Sequence, residues 1–220
     1  MAIPHIYRSE GTRDRILGAG YYQKIVKGNV ALGGWIEGPL AEACTLIGVS
    51  EMLVPHMCDP DLVNRILDIC IIVAKEFAKA QINEGCDYIG IGDAICSQID
   101  LKTYDLFVRE RHLELDDYIH SLGVKTKLHI CGNIEHLLPS IRSLNFDIVD
   151  IDYAVSPSKA REELGDKVVI KGNINPVFIQ NASLEELEEN VNSLLAKTKN
   201  AKFILSGGCE IIVLTPRQTC

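Results

Sequence analysis

The chain has 220 residues, 47% of them hydrophobic, enough to bury one substantial core, so a single domain over 1–220 is the natural count. Its formal net charge of -8, with a sequence pI near 5.3, argues against binding nucleic acid or an anionic membrane, because both attract basic patches. Met1–Gly11 lacks the apolar segment of a secretory signal and the run Ile69–Ala74 is too short to cross a bilayer, so a soluble protein is expected.

In chain order, a helix is expected over 12–27, followed by a strand over Asn29–Ile36. Asp59-Pro60 supplies an N-cap and a proline at the first helical position, and Leu62, Ile66, Cys70, Val73 and Phe77 then form one apolar stripe. Strands follow at Asp87–Gly92 and Val124–Ile130, separated by a helix over Leu101–Leu122. Ile134–Leu144 is expected to be helical, and Phe146–Asp152 and Lys167–Gly172 to be strands. Ser183 and Glu186 make a capping box for a helix reaching about Lys197, before a last strand at Ala201–Ser206. The strands are short, rich in Val, Ile or Leu and closed by Gly, Asp or Asn, as buried parallel strands are. Such alternation implies an α/β fold with a parallel sheet.

Polar residues gather just past the C-terminal ends of these strands: Glu37, Asp93, His129 and Cys131, Asp152, Asn173 and Asn175, then Cys209 and Glu210. Convergence from many strand ends is the pattern of a (β/α)8 TIM barrel, whereas a doubly wound sheet concentrates its site at one switch point. No Gly-x-Gly-x-x-Gly follows the first strand, so nucleotide binding has no support. Six strands cannot close an eight-stranded barrel. The expected fold is therefore an incomplete barrel of about six βα units.

Residues i and i+2 of a strand share a face, so His129 and Cys131 should emerge side by side. Cys209 follows Gly207-Gly208 at the corresponding place after the last strand. One imidazole and two thiols suit zinc, and three protein ligands leave the open position of a catalytic site. The competing reading is a satisfied core histidine with two cysteines packed as small hydrophobes. The eight cysteines, at 44, 58, 70, 86, 96, 131, 209 and 220, form no CxxC pair. That spread fits buried thiols in a reducing cytoplasm, not a disulfide scaffold.

The chain resembles the uroporphyrinogen decarboxylase superfamily, and within it the zinc-dependent methylcobalamin:coenzyme M methyltransferase-like branch. The resemblance rests on Trp35–Leu40, Ala80–Asp93, Leu128–Asn133, Asp147–Asp152, Lys171–Pro176 and Leu205–Glu210. The His-x-Cys…Cys set in its strand context is its most specific part. The resemblance implies a chain that starts late relative to the family, without the first two barrel strands, and stops early, without the last helix. A partner chain such as a second copy, a swapped element or residues 1–28 would be expected to cover the open seam.

The resemblance implies methyl transfer from a methylated corrinoid, carried on a corrinoid protein, to a small thiol such as coenzyme M. His129, Cys131 and Cys209 would hold zinc. The alternatives are uroporphyrinogen decarboxylation and a non-catalytic zinc- or corrinoid-binding protein. Asp93 and Asp152 are the candidate catalytic carboxylates. Asp93 would orient substrate, or else cap a loop. Asp152 would be a fourth ligand, as in the related cobalamin-independent methionine synthases, or else bond a ligand histidine or a loop amide. Glu37 and Glu210 are expected to be solvated rim groups, Asn173 and Asn175 to satisfy turn backbone, and His112, His120 and His136 to face solvent.

Overall fold

The computed structural model describes residues 6–53 and 59–217. Helix α1 (Glu10–Val26) precedes strand β1 (Gly33–Glu37), which leads into helices α2 (Pro39–Ile47), α3 (Val49–Leu53) and α4 (Pro60–Asn83). Strand β2 (Tyr88–Gly92), helices α5 (Leu101–Phe107) and α6 (Arg109–Ser121) and strand β3 (Lys125–Ile130) come next. Then follow α7 (Leu138–Ile141), β4 (Ile148–Ile151), α8 (Pro157–Leu164), β5 (Val169–Ile174), α9 (Pro176–Asn181), α10 (Leu184–Thr198) and β6 (Phe203–Gly207).

All six strands are parallel and lie in the order β1-β2-β3-β4-β5-β6, with no reversal and hence no switch point. Residues of both β1 and the segment after β6 line one cavity, so the sheet curls about an axis. Helices α4, α6 and α8 pack on its outer face. The architecture is that of an α/β barrel with β1 and β6 as free edges among the described residues. Alternation along β3 shows the logic: Leu128 and Ile130 are buried in the core, while Lys127 and His129 line the cavity.

Most local signals are realised. Asp59 accepts from the Leu62 N–H at 3.0 Å to cap α4, and Ser183 and Glu186 form the complete capping box of α10. The apolar stripe of α4 is displaced by about one residue. Val63, Leu67, Cys70, Ile71, Ala74 and Ala78 are buried, while Leu62 is exposed on the flank. The helix expected over 101–122 is two helices meeting at Val108. The one over 134–144 is a 3-10 turn and the single turn α7, which restarts at Pro139, a residue without an N–H and suited only to a first turn. Helix α1 lies against α4 through Ile16, Phe77 and Ala80, so it does not bridge the gap between β1 and β6. On that open edge Ile204 and Leu205 of β6 are exposed.

Candidate metal centre

The C-terminal ends of the strands enclose a cavity of about 480 Å³. Trp35 and Glu37 contribute from β1, Lys127 and His129 from β3, Asp150 from β4 and Lys171 from β5, with Cys131, Cys209 and Glu210 on the loops beyond. A larger hollow of about 880 Å³ lies between the N-terminal ends of β4 and β5. Neither convergent donor trio of the described residues lies in it, and it sits on the face that in barrels serves stability.

His129, Cys131 and Cys209 converge, each offering one ligand atom within 4.8 Å of the others. His129 Nε2 lies 3.1 Å from Cys131 Sγ, and its Nδ1 lies 3.0 Å from the Asp150 carbonyl oxygen. That carbonyl can only accept, so the bond assigns the proton to Nδ1 and leaves the Nε2 lone pair facing the sulfurs. Cys209 arrives through Gly208, where a Cβ would collide with the backbone at Tyr153; only glycine lets the chain pass so near the β4 loop. Glycines at 90 and 92 likewise leave room for the Trp35 ring, which stands 6.3 Å from the His129 ring.

The electrostatics of this trio favour a cation. Burial, the bond and charge of Cys209, and then Asp152 and Glu210 together push the Cys131 thiol up to about 12. The Cys131 sulfur therefore stays protonated on its own, and a divalent cation bound to it reverses that balance. Two soft sulfurs and one imidazole suit zinc, with one position left for a further ligand.

Asp152 is buried beside this group but outside the three-donor set, and its Oδ1 accepts from the Ala154 N–H at 2.9 Å. Asp93 is fully buried and does not line the cavity. Its carboxylate accepts from the Leu40 and Ala41 N–H groups at 3.3 and 2.7 Å, capping α2, and lies 3.0 Å from His112 Nε2. Those bonds are the loop-capping role, and orienting substrate would require Asp93 to leave them. His112 is also fully buried, not solvent-facing, because the break at Val108 turns it inward to meet the Tyr104 hydroxyl through Nδ1 at 2.9 Å. Asp93, Cys96 and His112 form a second convergent trio, yet all three are fully buried and both ring nitrogens and the carboxylate are already engaged. His120 is half-buried on Asp147, whereas His136 is exposed. Asn173 donates to the Val155 carbonyl at 2.7 Å and Asn175 caps α9, both serving backbone. Cys58 and Cys220 fall outside the described residues.

Sequence reasoning misses Trp35, Lys127, Asp150 and Lys171 as members of the site. Each of the last three stands two residues before a strand-end polar residue, at 129, 152 and 173, so period-two alternation is the signal that could find them.

The uroporphyrinogen decarboxylase (URO-D) family model matches residues 19–220. The chain belongs to this family. Within it, the chain is 27% identical over 195 residues to a methylcobamide:CoM methyltransferase, MtaA, from Methanosarcina barkeri, covering 86% of this chain and 56% of that protein. It is 26% identical over 162 residues to a uroporphyrinogen decarboxylase from Prochlorococcus marinus, covering 73% and 46%. The chain thus spans about half the length of the curated relatives it matches. Among solved structures it superposes on a methyltransferase from Methanosarcina mazei with a TM-score of 0.90, at 22% identity, over 99% of this chain and 64% of the other. A B12-independent methionine synthase from Shewanella aligns at a TM-score of 0.64 and 15% identity, over 93% of this chain and 61% of the other. Both show the fold. The family relatives are enzymes, methyltransferases in one branch and a decarboxylase in the other.

Proposed function

We propose that the chain is a zinc-dependent methyltransferase that moves a methyl group from a methylated corrinoid, presented by a corrinoid protein, to a small thiol of the coenzyme M kind. The observation that carries this reading is the convergence of the His129 nitrogen with the Cys131 and Cys209 sulfurs at the barrel mouth. When bound there, zinc supplies acidity to an acceptor thiol, whose ordinary pKa of about 8.5 leaves it mostly protonated at neutral pH. Cys131 and Cys209 would be anionic ligands and His129 a neutral one, so the site is net neutral and leaves electron density on the acceptor sulfur. The Asp150 carbonyl holds the His129 ring in the ligating tautomer. Asp152, whose Oδ1 accepts from the Ala154 amide, would shape the loop beside Cys131, and a place as fourth ligand would fall to its second oxygen.

The test is zinc content after dialysis together with thiol-dependent demethylation of methylcobalamin, followed by its visible spectrum. About one equivalent of zinc and thiol-dependent turnover are expected, both lost in Cys131→Ala while far-UV circular dichroism is retained. Zinc-free protein, or unchanged turnover in the variant, overturns the reading. The decarboxylase relatives favour one alternative, carboxyl release from a porphyrinogen, which the same preparation tests directly. Zinc bound without turnover would replace catalysis by a binding role.

A further inference from the structure

Of the cysteines among the described residues, Cys44, Cys70, Cys86 and Cys96 are buried, and only Cys131 and Cys209 are partly exposed. Both of these line the cavity at the barrel mouth, within reach of a small solute. Their sulfurs lie within 4.8 Å of each other and share a hydrogen bond. A disulfide brings two sulfurs to about 2.05 Å, so the pair is short of bonding by less than about 3 Å. Cys131 stands one residue past the end of β3 and Cys209 two past the end of β6, so neither belongs to a strand ladder. Gly132, at φ 92°, follows the first cysteine and Gly208 precedes the second. Rotation of the two side chains, with a small shift of these glycine-flanked ends, closes the gap.

We propose that Cys131 and Cys209 are an oxidant-sensitive pair, closed to a disulfide by a peroxide and reopened by a dithiol, and that the disulfide shuts the trio to a cation. The pairing needs the convergence of the three side chains and not the methyl transfer proposed above. His129 supplies the base. Its Nδ1 proton is committed to the Asp150 carbonyl, so Nε2, 3.1 Å from Cys131 Sγ, is free to take the proton of that thiol. The Cys131 sulfur then attacks one peroxide oxygen and the O–O bond breaks. The leaving hydroxide takes up a proton to become water, and Cys131 is left as a sulfenic acid. Cys209 attacks the oxidised sulfur, the S–OH bond breaks, and the hydroxide leaves as a second water with the Cys209 proton. Two thiols have lost two electrons in all, and one peroxide has become two waters. With its resolving thiol so near, the sulfenic acid closes before a second peroxide arrives. Neither sulfur of a disulfide is an anionic ligand, and His129 alone does not replace them.

The test starts from reduced protein freed of metal by a chelator and treated with a small excess of hydrogen peroxide. Thiols counted after unfolding should fall from eight to six and return to eight with dithiothreitol. Non-reducing digestion and mass spectrometry should find the Cys131 peptide joined to the Cys209 peptide. The cross-linked protein should take up none of the zinc that the same protein binds after reduction, as read by equilibrium dialysis. In Cys209→Ser, Cys131 should persist as a sulfenic acid that dimedone traps. An unchanged thiol count, a cross-link through any other cysteine, or Cys131 recovered only as a sulfinic acid overturns the proposal. So does zinc uptake by the cross-linked protein equal to that of the reduced one. If reduced protein holds no zinc yet forms the same link, the pair stands and the zinc-dependent function fails. Zinc binding with no link removes the pair and leaves that function intact. Should the serine variant not fold, the peptide map of the wild-type protein still decides.

Discussion

Replacing Asp93 with alanine removes a carboxylate that is fully buried and joins three elements: the end of β2, the first turn of α2 and His112 on α6. Loss of a helix cap costs about 1 kcal/mol. The His112 Nε2–H, held at 3.0 Å from the carboxylate and closed off from water, would have no acceptor left, at about 1–3 kcal/mol. Together these predict destabilisation of about 3 kcal/mol, a large part of the roughly 5–15 kcal/mol that keeps a domain of ordinary stability folded. Asp93→Asn keeps an oxygen for the Ala41 N–H but risks setting an amide N–H against His112, and should cost less than the alanine change. Guanidinium unfolding followed by far-UV circular dichroism measures both, with zinc content and thiol binding of the folded protein as controls. A shift below about 1 kcal/mol for Asp93→Ala would refute the bonding argument. Wild-type stability with lost thiol binding would return Asp93 to the reaction.

The acid limb of stability should depend on Asp147. Burial works to raise this carboxyl, but Lys125 Nζ at 2.7 Å, His120 Nε2 at 2.8 Å and the Thr126 N–H at 3.0 Å outweigh it and hold it below its ordinary value. Its contribution is complete above the unfolded carboxyl pKa of about 3.9 and drains away as pH falls through the lower folded value. Urea midpoints of Asp147→Asn should therefore approach those of the wild type below that window, and curves parallel at every pH would contradict the assignment. Thiol labelling should divide the cysteines by burial, which pushes Cys44 up to about 11, Cys70 to about 12 and Cys86 to about 11, and holds Cys96 well above the ordinary thiol value. Iodoacetamide near about pH 8 should spare these four until the protein unfolds, as read by peptide mass spectrometry, and early modification of Cys96 would mean that its surroundings open.

The sequence by itself determined those features whose causes are local. Asp59-Pro60 and the Ser183–Glu186 box start their helices because each satisfies orphan N–H groups within a few residues. The short apolar runs became six parallel strands because only a doubly covered sheet buries them, and strand alternation put His129 and Cys131 on one side. Tertiary structure decided which far-apart residues meet. Cys209 reaches His129 because the sheet curls and Gly208 yields space; the glycines and the strand-end position are legible in the sequence, but the curl that brings the two strand ends together is not. The buried His112 lies in a run of charges that reads as a solvated face. Its burial follows from the break at Val108 and from Asp93, 19 residues earlier in the chain. The Lys127–Asp150–Lys171 wall is the strongest instance. On three separate strands these charged residues look like ordinary surface groups, and only the register of β3, β4 and β5 sets them around one oxygen inside a barrel. Local hydrogen bonding and periodicity act over a few residues and are legible in sequence order, whereas charge pairing across strands depends on closure of the sheet, which no single segment encodes.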